Sequence, residues 1–167
     1  KQIFFLIFSL FIFISTALAQ TSETFDVATF KPPSGWKKQP TANAVQYVTE
    51  DAKTGASCII MLTKAIPGLG DSKVNFDAAW ETMVKEMVTV STAPEMQPAE
   101  DRDGWETLSG FAPFELNGSK GVVILVTASG DNKMVNVLIF TNTNVYEKNI
   151  ADFLASVSLK KPSDSVS

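Results

Sequence analysis

The chain has 167 residues, a formal net charge of −4, one cysteine, one arginine and no histidine. Without histidine, Ser-His-Asp and Cys-His nucleophiles, His-ligated zinc and imidazole proton shuttles are excluded, so any enzyme reading rests on carboxylates, Lys or Tyr. A mildly acidic chain with scattered lysines offers no basic stripe for nucleic acid or for an anionic membrane surface.

The opening stretch, KQIFFLIFSLFIFISTALAQ, begins with Lys, runs through Phe- and Ile-rich sequence and reaches Ala17-Leu18-Ala19. This is the pattern of a secretory signal peptide over residues 1–19, cleaved after Ala19, which implies a periplasmic or secreted protein. The apolar run from Ile3 to Ile14 is shorter than the roughly twenty residues a spanning helix needs, so no stable membrane insertion is expected after cleavage. Residues 20–160 read as one domain, and residues 161–167 as a polar, disordered tail. Cys58 sits in the apolar run SCIIML and reads as a buried, inert thiol, because a reactive one needs a basic neighbour and exposure.

Thr24 to Phe30 alternates as a strand. FKPPSGWKKQP follows, where Pro33 and Gly35 suit a type I turn from Pro32 to Gly35. Ala44 to Thr49 and Ala56 to Lys64 read as strands joined by the DAKTG hairpin loop, and AIPGLGDS as a flexible loop. A helix follows, with Asn75 as its cap and Asp77 in its first turn. Its apolar stripe is Phe76, Ala79, Trp80, Met83, Val84 and Met87. Glu95 to Glu100, weakened by Pro98, reads as an edge strand. Gly104 to Leu116 reads as a longer strand, bulged at Gly110 and Pro113. NGSKG and GDN mark two hairpins around VVILVTAS and KMVNVLIF. The last helix opens at Asn144 with Glu147 in capping-box spacing, and its stripe is Tyr146, Ile150, Phe153, Leu154 and Val157. Continuous apolar runs mark strands buried on both faces. Cys58 to Leu62, Val122 to Val126 and Val137 to Phe140 are therefore expected at the centre of the sheet.

Several of these residues carry a family resemblance. Pro33-Ser34-Gly35-Trp36, the Phe76/Trp80 helix, Asp103-Gly104-Trp105 opening a strand, and the closing helix ADFLASVSL resemble the PsbP/Mog1-like superfamily. The sequence is more closely similar to uncharacterised exported bacterial proteins of that kind, which share a PPxGW opening (Pro32 to Trp36), a third-strand Cys (Cys58) and an APFE stretch (Ala112 to Glu115). The resemblance implies an α+β fold: a three-layer α/β/α arrangement with a seven-stranded antiparallel sheet in the order 1-2-3-7-6-5-4 and two helices. It also implies binding to another macromolecule, since members include an extrinsic photosystem II subunit, a partner of a small GTPase and chaperones of exported effectors.

Glu100, Asp101 and Asp103 in AEDRDGW form the densest acidic cluster. They lack the continuing ligand spacing of an EF-hand, and read as a solvated loop before a strand. PGLGDSK lacks the GK[ST] ending of a phosphate-binding loop. No nucleophile–base pair is legible, and no catalytic residue, metal ligand or cofactor site is assigned. The resulting expectation is an exported, non-enzymatic accessory protein that docks to another protein or an envelope component, with Trp36, Asp101, Asp103 and Trp105 as the candidate interaction surface. Trp36 is expected mainly as a half-buried plug across the sheet end. Two alternatives stand beside it: a hydrolase using Glu100, Asp101 or Asp103, and a carrier of a small ligand in an apolar pocket between helix and sheet.

Overall fold

The computed structural model describes residues 21–161. The expected signal peptide, and the tail beyond Lys161, lie outside the described residues.

The described residues form an α+β fold, with two α-helices and a large antiparallel sheet. The strands are β1 (Glu23–Phe25), β2 (Ala28–Phe30), β3 (Lys37–Pro40), β4 (Ala44–Asp51), β5 (Ala56–Thr63), β6 (Ile66–Pro67), β7 (Thr89–Val90), β8 (Glu95–Met96), β9 (Glu100–Arg102), β10 (Trp105–Leu116), β11 (Ser119–Gly130), β12 (Lys133–Thr141) and β13 (Ser158–Leu159). Helix α1 is Ser72–Ala79 and α2 is Glu147–Ser156.

The large sheet has ten strands rather than the expected seven. Its main path runs β3-β4-β5-β12-β11-β10-β7, with β6 on β12 and with β8 and β9 on β10. The apolar strands β5, β12 and β11 lie at the centre, as their composition predicts. The outer position expected for Thr24 to Phe30 belongs instead to β3. Asp26, at φ +53°, breaks the earlier stretch into a tight β1–β2 hairpin, which joins β13 in a separate three-stranded sheet. Strand β3 shows no apolar alternation because all four of its residues are exposed. Its Lys37, Lys38 and Pro40 suit an edge that must not recruit other chains.

Three hairpin turns need two consecutive left-handed residues, and short polar residues or glycine supply them: Asp103-Gly104, Asn117-Gly118 and Asp131-Asn132. The β10–β11 register runs unbroken from Glu106↔Ser129 to Leu116↔Ser119, so the expected bulge at Gly110 and Pro113 is absent. Pro113 instead falls in the gap between β8, which reaches Phe111, and β7, which starts at Phe114. A missing N–H does least harm where the edge is already interrupted. Gly110 is small for a packing reason: a Cβ there would come within 2.9 Å of Phe76 Cζ and 2.8 Å of Met96 Sδ.

The helix starts also differ from expectation. Asp71 caps α1, its carboxylate accepting from Val74 N–H at 2.9 Å. Asn75 is buried inside the helix and pins the preceding loop: its side chain accepts from Leu69 N–H and donates to Ser129 Oγ. After Ala79 the helix widens into one π-turn, Trp80–Val84, with Lys85 N–H reaching the Trp80 carbonyl at 3.1 Å. The extra residue in that turn rotates the stripe. Met87 is therefore exposed and Val88 buried. Before α2, Asn144 makes a backbone turn to Glu147 rather than a side-chain cap. The turn after β2 is shifted by one residue, with Trp36 N–H bonding the Pro33 carbonyl and Gly35 at φ +78°.

Successive strand residues point to opposite faces. On β12, Val135, Val137 and Ile139 pack with Ile150 and Phe153 of α2, whereas Leu138 and Phe140 pack with Phe76 and Trp80. The helices are also offset sideways. Phe153 packs at a tilt against Phe30 and Tyr47, over β4, while Phe76 lies over Gly110 of β10.

Candidate functional site

That offset creates the site. Seven strands at about 4.8 Å spacing span about 29 Å, and one helix covers roughly 10 Å of that width. Among the described residues, no helix lies over the β10–β11 half of the sheet on the α2 face. A hollow of about 460 Å³ lies there. Its floor is Thr107 and Ser109 of β10, Val126 and Ala128 of β11, and Val135 and Val137 of β12. These are short or branched side chains, which leave depth above the sheet. One wall is the last turn of α2 and the strand after it: Leu154, Ala155, Val157 and Leu159. The facing wall is Gln97, Pro98, Glu100, Arg102 and Asp103, and Trp105 also lines the hollow.

The sequence AEDRDGW is a strand and a tight turn rather than a loop. Register decides which of its side chains serve the hollow. Glu100 pairs with Thr107 and Arg102 with Trp105, so both lie on the α2 face. Asp101 pairs with Glu106 and lies on the other face. Asp103 sits in the turn at φ +56°. The three carboxylates of the cluster therefore do not converge, and among the described residues no three His, Cys, Asp or Glu side chains are grouped to hold a metal ion. Arg102 lies 3.6 Å from Glu100, with both side chains more than half exposed. Such an exposed pair contributes at most about 1 kcal/mol.

Trp105 is buried, and its indole N–H donates to the Lys160 carbonyl at 2.8 Å, tying β13 to the sheet beside the hollow. Trp36 is placed elsewhere. It is half-buried, packs edge-on against Tyr146 with ring centroids 5.5 Å apart, and does not line the hollow. Of the four surface candidates, Asp103 and Trp105 thus share one site, while Asp101 and Trp36 do not join it. Sequence reasoning missed Ser109, Ala128 and Leu154 as site residues. Nothing local marks them, since they come together from three elements.

Cys58 lies fully buried on the same face, and burial pushes its thiol up to about 12. Two other hollows of similar size, one beside Trp80 and one beside Lys31, are lined largely by helix and loop residues without a strand floor. Among the described residues no helix is long and apolar enough to cross a membrane.

The chain is an α+β protein built on a large antiparallel sheet. No protein-family model matches it, and no curated protein does. A crystal structure from Bacteroides thetaiotaomicron VPI-5482 is similar to it, at a TM-score of 0.50 and 12% identity over 83% of this chain. At that identity the likeness concerns fold alone, and this chain covers 47% of that neighbour's length.

Proposed function

We propose that this is an exported, non-enzymatic binding protein with a three-layer, PsbP/Mog1-like architecture, and that it carries a small, largely apolar ligand in the hollow between α2 and the sheet. The observation carrying this reading is the hollow itself. Its volume of about 460 Å³ falls within the 300–1,000 Å³ typical of small-molecule sites, and a mostly apolar floor with a few polar groups is the usual makeup. The alternating packing of β12 against the two helices supports the layered arrangement. The ligand reading displaces docking to another protein as the leading idea, because the four residues expected to form a docking surface do not share one patch.

The test is titration with the neutral fluorophore N-phenyl-1-naphthylamine, comparing the protein with Ser109→Phe, which fills the floor. The expected result is saturable fluorescence enhancement that weakens at least tenfold in Ser109→Phe, with thermal stability retained. Equal enhancement in both proteins, or none in either, overturns the proposal.

A further inference from the structure

We infer that the ligand of this hollow is an amphipathic cation, an apolar chain or ring bearing a protonated amine. The inference rests on the hollow being a binding site. Two walls that are independent in sequence both present negative potential to its mouth. On one wall stand the carboxylates of Glu100 and Asp103 with a single guanidinium, Arg102. Because Arg102 pairs with Glu100, one carboxylate charge remains in excess. On the other wall α2 ends: Leu154 and Ala155 of its last turn line the hollow. The C-terminal end of a helix carries about half a negative charge, and no basic residue in the last turn of α2 offsets it. Lys160 follows the lining residue Leu159 but lies beyond the end of β13, and it does not line the hollow. The walls thus favour a positive headgroup over a floor that favours hydrocarbon.

Three ten-carbon probes separate the possibilities by calorimetry or by displacement of the naphthylamine at pH 7: decylammonium, decanol and decanoate. Decylammonium is expected to bind at least tenfold more tightly than decanoate, with decanol between them. The preference should shrink as salt rises, because the headgroup site is exposed. The double variant Glu100→Gln with Asp103→Asn should erase most of the preference. Arg102→Gln should strengthen it, because Glu100 is then released. Decanoate binding as well as decylammonium, or Arg102→Gln weakening decylammonium, overturns the inference. If decanol still binds and Ser109→Phe still blocks it, the hollow remains a ligand site and only the cation preference fails. If no probe is sensitive to Ser109→Phe, the site reading itself falls.

Discussion

The indole N–H of Trp105 and the backbone carbonyl of Lys160 meet at 2.8 Å, joining the first residue of β10 to the residue after β13. Lys160 N–H in turn bonds the Val27 carbonyl at 2.9 Å. One side chain therefore couples the large sheet to the small one beside the hollow. Trp105→Phe keeps most of the apolar volume but removes the bond, and should cost about 1–2 kcal/mol. Amide exchange at Lys160 should accelerate more than exchange in β12. Unchanged protection at Lys160 would show that the bond does not hold β13 in place.

Gly110 is a second packing relationship with a clear sign. An added methyl would press on Phe76 Cζ, Met96 Sδ and Pro94 Cβ. Gly110→Ala should destabilise by about 1–3 kcal/mol through overpacking, despite alanine's lower backbone entropy cost. Denaturant melts of Gly110→Ala, Phe76→Leu and the double variant should show favourable coupling between the two sites. Strict additivity would locate the strain elsewhere.

The π-turn after α1 divides residues that look equivalent along the chain. Val84 is fully buried and Met87 is 46% exposed. Val84→Ala should cost about 2 kcal/mol, while Met87→Lys should stay within about 0.5 kcal/mol of the parent. Urea midpoints of the two variants decide this. Severe loss in Met87→Lys would restore the regular helical stripe.

Glu23 accepts hydrogen bonds from the Lys38 ammonium and, at 2.8 Å, from the Tyr47 hydroxyl. Lys38 chiefly, with help from Tyr47 against the opposing effect of burial, holds the carboxyl below its ordinary range. Because the folded-state value lies below the unfolded one, its stabilisation is present above the unfolded value. It is lost as pH falls through the folded one. Glu23→Gln should therefore be less stable than the parent at pH 7, by no more than about 1 kcal/mol for so exposed a pair. The gap should close as pH falls below about 4. A gap that widens in acid would contradict the assignment.

Cys58 should resist thiol reagents. Its sulfur is fully buried and, with the thiol pushed up to about 12, almost no thiolate exists at pH 8. Labelling by Ellman's reagent should follow global unfolding in urea. Rapid labelling of the folded protein would contradict this.

Much of the fold was legible because its signals are local. DG and NG fall where two consecutive residues need left-handed backbone, and only short polar residues or glycine take that shape cheaply. The unbroken apolar runs of β5, β11 and β12 reflect burial on both faces, which leaves no position for a polar residue to alternate. The AEDRDGW cluster could be read for its charges, but not for which of them share a face.

What local chemistry could not show was the competition between distant partners. Thr24 to Phe30 and Lys37 to Pro40 both stand before the same hairpin. The exposed stretch took the edge of the large sheet because Ala28 and Phe30 gained more by burial beside Phe153. The hollow belongs to the same category. It exists because α1 and α2 cover different halves of the sheet, and because Ser109 and Ala128, nineteen positions apart, bring short side chains to one floor. A residue's own neighbours along the chain fix its turn and its periodicity. An empty volume depends on everything that fails to reach it, and that is settled only when all the elements are packed.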